Sequence, residues 1–321
     1  MEKMPVIQVF ALGGTIAMTP CASSGVTPTL SAADLIRAVP DLMGMAEFHA
    51  ETLVQKGSAN LTFELISDLC RRAEASSAQA VIVTQGTDSM EETSFLASLL
   101  YKGDAPLVFT GAMRSSDQPG ADGPANLLDA ARVALSAPEG SVSLVMNAEV
   151  HDPWHVAKEH TSSLQAFISE HGPVGTVVEG GVIWRGAART GLGYECERPA
   201  PVALVSAVLD DDGRQLDALP SLGYEAVVIE AYGAGHLSEI WADKAARLTE
   251  HMPVLLASRA RAGRVFEQTY GYIGAEIDLI GRGLLPTGGM RGRKARLLLS
   301  LLLGAEKQNW KQVFTTIVKS V

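Results

Sequence analysis

Cysteine is scarce: Cys21, Cys70 and Cys196 are the only three in 321 residues, widely spaced and without a CxxC pair. So small and odd a set supports neither a disulfide framework nor a thiolate zinc site, and it suits a reduced compartment, here expected to be cytoplasmic. Long apolar runs are missing too. The longest, LLLSLLLG at 297–304, falls well short of the roughly 20 residues of a membrane-spanning helix. The opening MEKMPVIQVFAL reads as a first strand, with no cleavage-type segment after it. Positive charge is in deficit, with 26 Lys plus Arg against 36 Asp plus Glu and a formal net charge of −10. Phosphate backbones and anionic membranes are bound by clustered Lys and Arg, so neither nucleic acid nor membrane is expected as a partner.

Apolar content is ample: 47% of residues are hydrophobic and 19% charged, a balance typical of compact folded chains and not of disordered ones. At about 150 residues per domain, the length suggests roughly two domains. Short runs rich in Val, Ile and Leu at 6–12, 80–86, 106–112 and 143–149 alternate with helical patterns at 31–39, 63–76, 91–101 and 126–136. Their continuous apolar character fits strands buried on both faces of a parallel sheet. After a Gly-, Arg- and Pro-rich stretch the same rhythm resumes at 202–209, 226–233 and 254–260, and KARLLLSLLLGAEK closes the chain as an amphipathic helix. The expected fold is α/β in two domains: a larger one over 1–190 with a mostly parallel sheet, a linker at 191–201, and a smaller parallel-sheet domain over 202–321.

Loops and helix N-termini converge at the carboxyl ends of parallel strands, and four motifs fall there. LGGTIAM ends the first strand in Gly13-Gly14, a turn closed to residues with a Cβ, and delivers the Thr15 hydroxyl to the sheet edge. Alone, it reads more readily as a tight or phosphate-cradling turn than as a catalytic one. VTQGTDSMEET places Thr87 and Asp88 at a helix start, where Asp88 with Glu91, or Ser89 with Glu92, also fits a capping box. FTGAMRSSDQPGADGPANLLDAA joins a strand to a helix through a long polar loop of the kind that is usually functional or mobile. AEVHDPWHVAKEHTSS carries Lys158 among polar groups. His151, His155 and His160 lie there as well, but Pro153 interrupts the His-x-x-x-His spacing and no HExxH or thiolate partner accompanies them, so no metal is expected. A GxSxG elbow, a Ser-x-x-Lys pair and a cysteine beside a glycine-rich turn are all missing, which leaves the chemistry to Thr, Asp and Lys.

Taken in order, GGTIA, QGTDSMEET, TGAMR with ADGPANLLDA, and HVAKEH resemble the bacterial-type asparaginase family over nearly the whole chain. The resemblance implies cofactor-free hydrolysis of the side-chain amide of L-asparagine to L-aspartate and ammonia, by a homodimer or homotetramer with shared active sites. It implies Thr15 as nucleophile and Thr87, Asp88 and Lys158 as a hydrogen-bonded set, with Gly14 and Gly86 in the same substrate site. Ser58 in QKGSAN would hold the α-carboxylate, Asp88 the α-ammonium, and the Ala112 carbonyl would accept from the scissile amide. Glu276 in YGYIGAEIDL matches an acidic residue that a neighbouring subunit contributes in the family, the alternative being an exposed loop carboxylate. Acylation of Thr15 followed by attack of water activated at Thr87–Lys158 is the implied route, with direct attack of water as the other.

Three positions depart from the family's pattern. The tyrosine of the loop after GGTIA has no counterpart, because MTPCASSGVTPTLSAADL contains none and the first tyrosine is Tyr101. Thr27, Ser24 or a group from a second subunit would have to take its place. His236 stands where Asn-rich turns occur, and Ala59 where Gln is frequent beside the carboxylate-binding serine. The alternatives are therefore a glutaminase-asparaginase, an amidase for another amide, or an amino-acid-binding homologue impaired in catalysis. The extra methylene of glutamine is worth only about 1–3 kcal/mol of discrimination.

Overall fold

A computed structural model describes residues 4–20, 25–305 and 308–319; Cys21 and Ser24 lie outside the described residues. The chain divides into two units, Met1–Tyr194 and Glu195–Val321. The first half of unit one contains β1 (Val6–Gly13), the hairpin β2 (Met18–Pro20) and β3 (Val26–Pro28), α1 (Ala32–Arg37), β4 (Glu47–Lys56) and α2 (Phe63–Ala75). It continues with β5 (Ala80–Thr84), α3 (Met90–Leu100), β6 (Leu107–Thr110), α4 (Gly123–Ser136) and β7 (Val142–Met146). Five short strands complete it: β8 (Glu149–His151), β9 (Val156–Lys158), β10 (Phe167–Ser169), β11 (Gly175–Val178) and β12 (Gly181–Trp184).

Eight of these strands form one sheet in the order β12-β11-β8-β7-β6-β5-β1-β4. From β4 to β7 it is parallel; β8, β11 and β12 extend it antiparallel. All five residues of β5 are buried, which is why AVIVT shows no alternation. By contrast, β4 is an edge strand whose residues are exposed or half-buried, so its sequence EFHAETLVQK carries no apolar run to mark it. The change of direction at β7–β8 is made by Asn147 and Ala148, both at positive φ (51° and 62°), the left-handed pair that a two-residue hairpin turn requires. One face of the sheet is sealed by α1 and α4, with Ile7, Val9, Ile82 and Val108 packed among Leu35, Leu127, Ala130 and Val133.

The second unit is a four-stranded parallel sheet, β13 (Val202–Ser206), β14 (Ala226–Ala231), β15 (Val254–Ser258) and β16 (Leu285–Pro286), in sequence order. Its helices are α5 (Arg214–Ala218), α6 (Glu239–Thr249), α7 (Glu276–Gly281), α8 (Gly292–Ala305) and α9 (Trp310–Val318). Trp241 anchors its core, fully packed between sheet and helix residues while its indole N–H donates to the Asp211 carbonyl at 2.9 Å. Cys70 and Cys196 are free thiols. Among the described residues, no helix is long and apolar enough to cross a membrane.

His151 on β8 makes the first unit sensitive to acid. Its Nδ1 meets Ser169 Oγ at 3.0 Å, and its Nε2 is buried without a hydrogen-bond partner. Burial pushes its pKa down from 6.5 to about 4. The Glu149 carboxylate, 3.5 Å from Nε2, pulls the other way, but Gln165 Nε2 engages it at 2.6 Å and burial dominates. The unfolded chain thus takes up a proton that the folded chain refuses, so stability is complete above the unfolded value and falls as pH drops from 6.5 towards about 4. Urea titrations should give His151→Gln a flatter pH profile than the parent, by roughly 2–3 kcal/mol between about pH 7.5 and 4.5. Parallel profiles would remove His151 as the source.

Candidate active site

Strand order places a crevice between β1 and β5. The chain leaving β1 runs towards β4 on one side, whereas the chain leaving β5 runs towards β6 on the other. Connections that part in this way open a cleft at the carboxyl edge of the sheet. Thr15 follows β1 on a single 3-10 turn, Thr15–Ala17, and is partly exposed. Thr87 and Asp88 follow β5, Ser58 follows β4, and Ala112 follows β6.

The backbones of the two central loops touch. A Cβ on Gly14 would collide with Gly86 Cα, and one on Gly86 would lie 3.0 Å from Ser58 Oγ. Ser58 Oγ accepts from the Asp88 N–H at 3.1 Å, while the Ser58 carbonyl accepts from Ser89 Oγ at 2.9 Å. Across the cleft, β9 supplies Lys158, whose Nζ donates to Thr87 Oγ1 at 2.8 Å and to Asp88 Oδ1 at 2.6 Å. The structure therefore brings Gly14, Ser58, Gly86, Thr87, Asp88 and Lys158 together, with Thr15 next to Gly14. Ala112 is fully buried one strand over, where a Cβ on the preceding Gly111 would sit 3.4 Å from the Thr87 methyl.

Burial within the cluster is uneven. The side chain of Lys158 is 13% exposed and that of Asp88 76%. An ion pair this open adds about 0–1 kcal/mol to stability, so the pair is poorly explained as a structural brace. It leaves a solvated carboxylate at Asp88 and a shielded ammonium held between two oxygen atoms.

The capping-box reading of this helix start is corrected by the structure. Ser89 is the N-cap of α3 and makes no side-chain cap, because its hydroxyl goes to Ser58. The buried Glu91 instead accepts from the backbone N–H of Lys158 at 2.5 Å. One helix end thus holds Thr87 and Asp88 and also fixes the strand that delivers Lys158, a role hidden in sequence because Asp-x-x-Glu looks like a cap. Sequence reasoning misses two further residues of the third motif, Asp122 and Asn126; an Asn one turn after a helix-start Asp was the available signal. The three histidines of the fourth motif go separate ways: His151 to Ser169, His155 to a ring contact with His171, and His160 to the amides of Ser162 and Ser163.

Glu276 belongs to the second unit and is no exposed loop carboxylate. It opens α7 and is fully buried. Its Oε1 accepts from the amides of Thr269 at 2.8 Å and Tyr270 at 2.6 Å, and its Oε2 lies 3.3 Å from His236 Nε2 without hydrogen-bond alignment. Burial opposes its charge, but the Tyr270 and Thr269 amides outweigh burial and hold the carboxyl below its usual range. His236 packs edge-on to Tyr270, with ring centroids 5.0 Å apart.

Comparison with known proteins agrees with this architecture. A "Probable L-asparaginase" of Deinococcus radiodurans is 33% identical, over 98% of this chain and 98% of its own length. A glutamyl-tRNA(Gln) amidotransferase subunit of Methanosarcina acetivorans is also 33% identical, over 91% of this chain and 71% of its own length. Among solved structures, the probable cytoplasmic L-asparaginase from Campylobacter jejuni superposes with a TM-score of 0.86 at 26% identity, covering 97% of this chain and 99% of that one. Residues 6–189 match the family described as "Asparaginase, N-terminal" and residues 201–315 the "Glutaminase/Asparaginase C-terminal domain", so the chain belongs to the asparaginase family in both of its parts.

Proposed function

We propose that the protein is an L-asparaginase that hydrolyses the side-chain amide of asparagine with Thr15 as nucleophile and without a cofactor. The observation that carries this reading is the Lys158 ammonium bridging Thr87 Oγ1 and Asp88 Oδ1 at 2.8 and 2.6 Å beside the Thr15 turn. Acylation of Thr15 releases ammonia, and the Thr87–Lys158 pair then activates the water that hydrolyses the acyl-enzyme. Asp88, open to solvent, takes the substrate's α-ammonium. The Ser58 hydroxyl takes the α-carboxylate and the Ala112 carbonyl accepts from the amide nitrogen, in a homodimer or homotetramer; Glu276, fully buried in its own unit, presents no surface to a neighbouring copy. A cytoplasmic location is supported by the Campylobacter relative, described as cytoplasmic.

A second reading comes from the amidotransferase relatives, which would place ammonia release in the service of another reaction. One assay tests the asparaginase reading against a glutaminase and an amino-acid-binding protein: ammonia release by the purified chain from asparagine and from glutamine, alone and without tRNA, between about pH 6 and 10, alongside asparagine binding. Faster release from asparagine is expected. Binding without release at every pH would replace the hydrolase with an amino-acid-binding protein, and preference for glutamine would make it a glutaminase.

A further inference from the structure

Asp122 is the N-cap residue of α4, yet its carboxylate makes no bond to its own helix's backbone. It turns back instead onto the loop after β6. Its Oδ2 accepts from the Met113 N–H at 2.9 Å with Oδ1 at 3.1 Å, and Oδ1 accepts from the Arg114 N–H at 2.9 Å. Asn126, one turn further and buried, donates from Nδ2 to Asp122 Oδ2 and to the Gly111 carbonyl, each at 3.0 Å. Its Oδ1 accepts from the Asn147 N–H at 2.9 Å, which ties the pair to the β7–β8 turn. Ala112 is thus gripped on both sides.

The Met113 N–H and the Ala112 C=O belong to one peptide plane, and in a trans peptide they point in opposite directions. There are no cis peptides among the described residues. A carboxylate that holds the N–H therefore aims the Ala112 oxygen directly away from itself. It also polarises the plane, since a hydrogen bond to an ionised acceptor is stronger than a neutral one and bonds in a chain reinforce each other. Close packing leaves the plane little freedom: a Cβ on Gly123 would lie 3.0 Å from Ile16 Cγ1, beside Thr15, and 3.5 Å from the Ala112 Cβ.

We propose that Asp122, steadied by Asn126, is a positioning residue that orients and polarises the Ala112 carbonyl towards the leaving nitrogen. The inference rests on the amidase reading above. In acylation the Thr15 oxygen bonds to the amide carbon, the C–N bond breaks, and the hydroxyl proton ends on the nitrogen, which departs as ammonia. The nitrogen gains positive character along this path, so an acceptor carrying extra negative charge favours the transition state over the bound amide.

The test compares two leaving groups. L-Aspartate β-methyl ester presents a leaving oxygen with no N–H to donate, and kcat/KM reports acylation for both substrates without the later water step. In Asp122→Asn, kcat/KM for asparagine should fall roughly ten- to hundredfold, while the ester value should stay within about threefold of the parent. Asp122→Glu, which restores the charge, should recover much of the amide-to-ester ratio. Equal losses on both substrates, or no loss on either, would overturn the proposal, the first reducing Asp122 to a loop brace. If D122N does not fold by circular dichroism, Asp122→Ser is read by the same ratio with the same outcomes. A parent protein that cleaves neither substrate overturns the amidase reading itself, and this is visible before any variant is made.

Discussion

Thr15→Ala and Thr87→Ala should each lower asparagine turnover by at least about a thousandfold while leaving the folded chain intact. The two threonines stand on different strands, Thr15 after β1 and Thr87 after β5, and the cleft between those strands exists because the chain leaves them in opposite directions. Thr15 is partly exposed, so its truncation costs little stability. Thr87 is buried and loses its bond from Lys158 Nζ; a hydrogen bond to a charged group is worth about 1.5–3 kcal/mol, which predicts a modest drop in melting temperature. Groups that act as one unit show losses that do not add. The double variant should therefore be scarcely worse than the weaker single one. Ammonia release normalised to folded protein checks this, and near-normal turnover in either single variant removes that residue's role.

Legibility of the fold followed burial. Where strands are covered on both faces, as in β5 and β14, the apolar run is continuous and could be read directly. The edge strand β4 faces solvent along much of its length and carries His49, Glu47 and Glu51, so no pattern announced it. The antiparallel extension through β8, β11 and β12 depends on a turn at Asn147-Ala148 whose left-handed backbone Ala does not advertise. Most of the helix expectations landed within three residues, because Ser31 and Thr62 cap α1 and α2 as such residues ordinarily do.

The site divided along a different line. Motif order pointed to Thr15, Thr87, Asp88 and Lys158, and the fold gathers them at one sheet edge. What escaped were residues acting through backbone groups. Glu91 holds the Lys158 amide, and Asp122 the amides of Met113 and Arg114. Side chains that serve the main chain leave no spacing rule, since their partners are every residue's N–H. Glu276 shows the reverse: its exposure was open in sequence, and the two amides that hold it inside the second unit are visible only in three dimensions.

Gly14→Ala should be the most damaging small substitution in the first unit. Gly14 has φ +82°, and a Cβ there would overlap both Gly86 N and Gly86 Cα. Neither neighbour is a flexible side chain that could swing aside; both are main chain, fixed by the register in which Ala11 of β1 faces Thr84 of β5. Left-handed backbone strain of about 1–3 kcal/mol adds to overpacking of about 1–3 kcal/mol, a total of roughly 2–6 kcal/mol. For a unit of this size that is a fall of about 5–20 °C in melting temperature. Relief requires the loops after β1 and β5 to separate, which pulls Thr15 away from Thr87 and removes turnover even in molecules that stay folded. Gly57→Ala is the matched control: a Cβ there meets nothing within 4 Å, and its φ is −65°, so stability should change by less than about 0.5 kcal/mol. A Gly14→Ala protein that melts with the parent and keeps its turnover would mean that the two loops do not need to touch.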